Sequence, residues 1–121
     1  MSLQFDFTRT FTVGTAMSAF IRVTITANGS IVPSQGEQGQ GILQQDVQGL
    51  SWENAKVRLN GVGSSIVAVT GNATTAITPG ASLYTTANGY VCASPGTNLW
   101  GIAATGSSNA TGSVIEAIPS F

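Results

Sequence analysis

Apolar and polar side chains alternate from the first residues of the chain: Leu3, Phe5, Phe7, then Phe11 and Val13 fall on one face, and Gln4, Asp6, Thr8, Thr10 and Thr12 on the other, with Arg9 as the one interruption. A period of two predicts a strand with one apolar face. The pattern returns over residues 20–26, where Ile21, Val23 and Ile25 oppose Arg22, Thr24 and Thr26, and over 55–59, which carries Lys56 and Arg58 on its polar face. Further strands are predicted at 65–69 and at 114–118, the last ended by Pro119, which cannot donate to a central ladder. No window of twelve residues spaces apolar positions as a capped helix would. The expected class is all-β: roughly ten short antiparallel strands, closely spaced, forming a compact sandwich or small barrel.

Superimposed on the alternation is a repeat. Thr26-Ala27-Asn28-Gly29 recurs as Thr86-Ala87-Asn88-Gly89, and the ungapped overlay of 26–42 on 86–102 also matches at Ser34/Ser94, Gly36/Gly96, Gly41/Gly101 and Ile42/Ile102. That is eight identities in seventeen positions, so the chain reads as a doubled half-domain with a period of 60 residues. Asn-Gly between two β-prone runs is a hairpin signal, because a type I′ turn needs positive φ at both central residues. A strand opening on Gly-Ile follows in each copy. The expected organisation is an N-terminal strand or arm and bend at 1–19, then a single β domain at 20–121 containing the repeats 20–59 and 80–118. An apolar terminal strand needs a partner, inside its own domain or on a neighbouring subunit. Its place outside the repeat favours the arm.

Composition changes the picture in one respect. Only 7% of the 121 residues are Asp, Glu, Lys or Arg, against about a quarter in ordinary soluble domains. A surface so poor in charge favours a chain partly covered in an assembly. Net charge is −1, and Arg9, Arg22, Lys56 and Arg58 form no basic stripe, which argues against nucleic acid. The first twenty residues carry Asp6 and Arg9 without a continuous apolar run, so they read as neither secretory signal nor membrane span. The combination is expected of a protein made in the cytoplasm and used outside it.

Candidate chemistry is sparse. Histidine is absent, which removes Ser-His and Cys-His nucleophile pairs and the commonest zinc ligand. Asp46 and Glu53 are the closest carboxylates, each in a polar loop where a solvated state is expected rather than a catalytic pair. The glycines at 36, 39 and 41 precede no helix and so make no phosphate cradle. Residues 35–41 read instead as an exposed, mobile loop. Cys92, alone in the chain, reads as a small buried hydrophobe, and Tyr84 and Tyr90 as cross-strand partners. The triplets at Asn28, Asn72 and Asn109 match the glycosylation pattern but require export. Trp100, beside the repeated Gly-Ile, reads as core; Trp52, in a polar setting, is open between a sugar platform and an interface. No cofactor, metal or enzymatic activity is expected.

The order Ile77-Thr78-Pro79-Gly80-Ala81-Ser82-Leu83-Tyr84, then Asn88-Gly89-Tyr90-Val91, Trp100-Gly101-Ile102-Ala103 and Gly112-Ser113-Val114-Ile115-Glu116-Ala117 resembles the small β-rich capsid cement, or head decoration, proteins of tailed bacteriophages. The resemblance covers about 77–118, with a degenerate echo over 20–59. It implies a structural protein without enzymatic activity, a homotrimer or else a dimer. Such a protein sits on the outer surface of the virion head, contacts the major capsid protein and braces the shell. The phenylalanine-rich start and the Gln-rich stretch at 35–48 depart from that pattern. Leu3, Phe5, Phe7, Phe11 and Trp52 are the candidate subunit or capsid contacts. The alternative is a carbohydrate- or receptor-binding module of a phage fibre or tail, reading its ligand with Trp52, Gln44, Gln45 and the Gln-rich loop.

Overall fold

The computed structural model describes residues 8–50, 52–59, 67–71, 76–93, 97–106 and 113–120. They form ten strands: β1 Thr8–Val13, β2 Arg22–Ile25, β3 Ser30–Pro33, β4 Gly41–Leu43, β5 Asn54–Leu59, β6 Val67–Gly71, β7 Ser82–Thr85, β8 Val91–Cys92, β9 Leu99–Ala103 and β10 Ser113–Pro119. The fold is all-β, and it is two closed five-stranded barrels in tandem. The first has the order β1-β3-β2-β4-β5, the second β6-β8-β7-β9-β10, each closing on itself. Position by position the two orders are the same. Both contain one parallel contact, β1 with β3 and β6 with β8, so the sheets are not wholly antiparallel as expected.

The duplication therefore extends further than sequence identity does. Residues 8–13 are not an arm outside the repeat: β1 pairs with β3 and β5 of its own barrel, as β6 pairs with β8 and β10. Phe11 faces Ala55 as Val69 faces Ile115, so this strand lies 58 residues from its copy while the others lie 60 apart. Leu3, Phe5 and Phe7 lie outside the described residues.

Local chemistry explains the shared motifs. The repeated glycine of Gly-Ile opens β4 and β9, where a Cβ on Gly41 would lie 2.6 Å from the Arg58 carbonyl oxygen and one on Gly101 would collide with the carbonyl of Ile118. Arg58 and Ile118 are themselves equivalent, opposite Ile42 and Ile102. The glycine is thus required by the close approach of the same neighbouring strand in both barrels. The two Asn-Gly hairpins differ. At Asn88-Gly89 both residues have positive φ, 64° and 79°, as the type I′ expectation demands. In the first copy only Gly29 does, at 85°, and the Gly29 N–H donates to the Thr26 carbonyl while Thr26 N–H donates to that of Ser30, a three-residue loop.

Inward positions of each barrel build its core. Val13, Val23, Ile31, Leu43 and Val57 fill the first; Val69, Leu83, Val91, Trp100 and Ile115 fill the second. Trp100 is fully buried, in keeping with its reading as core. One strained residue ties the two together. Phe20 holds a left-handed φ of 66° where its counterpart, Gly80, has 86° at no steric cost. The surrounding bonds are conserved: Phe20 N–H donates to the Leu43 carbonyl at 2.7 Å and Gly80 N–H to that of Ala103 at 2.7 Å. Phe20 retains the strain because its ring packs on the second barrel's core and its carbonyl accepts the Thr70 N–H. Replacing Phe20 by Ala keeps the strain and loses the ring, whereas Gly loses both. Phe20→Gly is therefore expected to be the more stable of the two by about 1 kcal/mol, the reverse of the usual Ala–Gly order, as read by urea denaturation.

Candidate functional site

The seam between the barrels is built around Arg22, the second residue of the alternating run 21–25. Its Cα partner on β4 is Ile42, whose own partner on β5 is Arg58, so Arg22, Ile42 and Arg58 form one row across the outer face of the first barrel. An outward row would ordinarily meet water; here Arg22 and Ile42 are both 0% exposed. Ile42 belongs to the core cluster of the second barrel, not the first. Arg22 is met by carbonyls: Nη2 donates to those of Gln35 at 2.8 Å, Tyr90 at 3.0 Å and Thr86, Nε to that of Tyr90 at 3.2 Å, and Nη1 to that of Glu37. A planar fork of donors is the group suited to gathering several backbone acceptors from two segments at once. Burial pushes the guanidinium down to about 10, with the Glu37 and Cys92 charges pulling the other way, so Arg22 remains a cation at neutral pH.

The second barrel meets this face with the side formed by β6, β7 and the Asn88-Gly89 hairpin. Gly89 N–H donates to the Ser34 carbonyl at 2.6 Å, and the Thr85 hydroxyl and the Asn98 amide both donate to the carbonyl of Gly36, at 2.7 and 2.8 Å. The Gln38 amide reaches the Leu99 carbonyl at 3.0 Å. Residues 35–38, expected to be an exposed mobile loop, are exposed at Gln35 and Glu37, yet their backbone is held in the seam by bonds from both barrels. The Glu37 carboxylate braces them by accepting from the Thr24 hydroxyl at 2.9 Å and the Gln35 N–H at 3.2 Å. Its own backbone N–H, the Thr24 and Gln35 donors and the Arg22 charge hold its carboxyl below the ordinary range, against a smaller opposing desolvation.

The equivalent row on the second barrel is uncovered. It reads Ser82, Ile102, Ile118 by the same strand pairings, and Ile102 is 46% exposed where Ile42 is fully buried. Leu99, Val114 and Ile118 are also exposed, so the outer face of β9 and β10 is an apolar strip interrupted by Glu116 alone among its charged residues. The repeat carried this signal in Ile42/Ile102, although identical residues gave no hint that one would be covered.

The remaining candidates are dispersed. Phe11 is half-buried against the first core and Trp52 is 76% exposed beside Leu50, on a different surface segment from the β9–β10 strip. Asp46 accepts the Ala19 N–H at 2.7 Å, and Glu53 accepts the N–H groups of Gln48, Gly49 and Leu50, so both carboxylates hold loops. Tyr84 lies opposite Cys92, but Tyr90 is not simply a cross-strand partner; it packs on the first barrel's core. Cys92 is half-buried rather than buried, and desolvation pushes its thiol up. A cleft of about 480 Å³ lies where Asn88 and Tyr90 meet Met17, Ile21, Pro33 and Val47, away from Trp52. Among the described residues no group of three acidic, Cys or His side chains could hold a metal ion, and no helix is long and apolar enough to cross a membrane.

Compared with known proteins, the chain matches no family model and no curated protein.

Two outcomes test the seam. Arg22→Met keeps length but takes their donor from the part-buried carbonyls of Gln35, Glu37 and Thr86, leaving that of Tyr90 only the Thr86 N–H, and is expected to cost about 3–5 kcal/mol in urea denaturation; Arg22→Lys, lacking the fork, recovers only part. Because the Glu37 carboxyl is held below its unfolded value, its contribution is fully present above that value and is lost as pH falls through the folded one. Glu37→Gln is expected to lower stability above the carboxyl's unfolded value and to converge on the wild type as pH falls through the folded one, so that the acid limb of the stability curve is flattened.

Proposed function

We propose that this chain is a structural protein of a bacteriophage particle that binds the outer surface of the head and stabilises the shell. The observation that carries the reading is the apolar strip of Leu99, Ile102, Val114 and Ile118 on the outer face of β9 and β10, a surface suited to another protein. It lies within the stretch 77–118 that resembles phage cement proteins. Sparse charge supports the same reading, as such a surface is better suited to a covered position than to a free one. A cement protein acts by adding modest contacts at many shell joints, each weak and the sum large. In this reading the major capsid protein and further copies of the chain are its partners, and no catalytic group is required.

Antibody raised against the purified chain is expected to label intact heads at regular positions in electron micrographs. Heads assembled without the chain are expected to open at lower temperature. Label confined to the tail, or absent from particles, overturns the reading.

A second reading is favoured by one observation, the exposure of Trp52: an indole held clear of its own fold beside polar residues is the usual platform for a sugar ring. A fibre module of this kind would lose glycan binding on Trp52→Ala, with stability changed by less than about 0.5 kcal/mol. A glycan array on which the wild-type chain finds nothing removes this reading.

A further inference from the structure

The tandem barrels contain one barrel-to-barrel contact and the two surfaces needed to make a second. In the seam, Arg22 and Ile42 of the first barrel's row are covered by the second barrel, on whose receiving side Thr70, Thr85 and Gly89 are all buried. The fold being duplicated, each surface has a counterpart on the other barrel. The counterpart row, Ser82–Ile102–Ile118, is exposed at Ile102 and Ile118. The counterpart receiving side, on the first barrel, consists of Thr12, Ile25 and Gly29, and it too is more open than its copy: Thr12 is exposed where Thr70 is 6% exposed, and Ile25 half-buried where Thr85 is 0%. The hairpin glycines make the contrast plainest. A Cβ on Gly89 would lie 2.6 Å from the Arg22 carbonyl oxygen, whereas one on Gly29 would meet nothing within 4 Å.

We propose that the Ile102 row of one chain seats on the Thr12–Ile25–Gly29 side of a second copy, repeating between chains the contact that joins the barrels within one. The occupant is a second copy because this chain already contains the surface that the row fits, uncovered, at the corresponding place in the same fold. The differences between the two versions are concerted. Where the first row has Arg22 and Arg58 the open row has Ser82 and Ile118, and where the seam presents Thr85 the open receiving side presents Ile25. The open row is thus apolar at Ile102 and Ile118, where the seam's row is cationic at both ends, and it lacks the guanidinium that would otherwise be left without acceptors. Such a contact is head-to-tail, each chain giving a row and a receiving side, so it closes into a ring or continues as a filament. The inference stands on the internal repeat and not on the capsid reading.

The test is light scattering on the full-length chain with two variants at exposed positions, Ile102→Asp in the row and Thr12→Arg on the receiving side. Each is expected to keep the wild-type circular dichroism spectrum, and the wild-type urea midpoint when both are diluted until the wild type is monomeric; Ile118→Asp serves as a second row variant. The wild type is expected at two or more chain masses and each variant at one, with self-association weakened roughly tenfold or more. Mixed in equal amounts, the Ile102 and Thr12 variants are expected to form a one-to-one complex, since one retains the receiving side and the other the row. A monomeric wild type overturns the contact, as does either variant assembling like wild type, or a mixture that stays at the mass of one chain. A monomer that still labels phage heads overturns this inference and leaves the capsid reading standing. An assembling chain that labels no head does the reverse.

Discussion

A cation buried among backbone carbonyls is the constraint on which this fold depends. Arg22 takes acceptors from the 35–37 segment of one barrel and from the 86–90 hairpin of the other, and neither barrel alone offers it a full set. Without the second barrel the guanidinium would be hydrated; with it, water is excluded and the carbonyls must supply what water did. The charge is what makes the exchange workable, since charge-assisted bonds are about twice as strong as neutral ones. The seam therefore fixes the relative position of the barrels by directional bonds, with Ile42 and the strained Phe20 adding apolar contact beside them.

The same constraint explains the asymmetry of a duplicated chain. Two identical barrels in tandem would each offer one row and one receiving side, and joining them uses one of each. The remaining row and receiving side are free to diverge. In this chain the used row has arginines and the unused one has isoleucine and serine at the same places. Ile102 and Ile118 stand exposed where the first barrel has a sealed Ile42 and a half-buried Arg58, so the two rows differ in cover as well as in charge.

Much of the architecture was legible in the chain, and the parts that were not share a cause. Alternation, Asn-Gly and Gly-Ile are local signals, and they located β2–β4 and β7–β9 because turn geometry and strand approach act within a few residues. The β1–β6 correspondence was hidden because Thr8–Val13 and Val67–Gly71 share no motif and stand 58 rather than 60 residues apart, which an ungapped overlay cannot align. Phe11 and Val13 alternate like any strand, and nothing local says whether the partner is β3 of the same barrel or another chain. The part of the Gln-rich segment in the seam was hidden for a related reason, although Gln35 and Glu37 are exposed as its composition predicts. Polar composition reports that backbone groups need partners, but not whether water or Arg22 provides them.

Burial at outward positions was the least legible property, and it is where the functional argument lies. Ile42 and Ile102 are identical in type, in register and in the Gly that precedes them, yet one is sealed and the other 46% exposed. Period-two patterns assign faces within a sheet; they cannot say which outer face a second barrel covers. The repeat converts that ambiguity into a comparison, because one copy displays what the other's surface accommodates. Ile42 is direct evidence that this row, on this fold, buries well against a barrel of the same kind. That makes the exposed row at Ile102 a stronger indication of a partner than an equal area of isolated apolar surface would be.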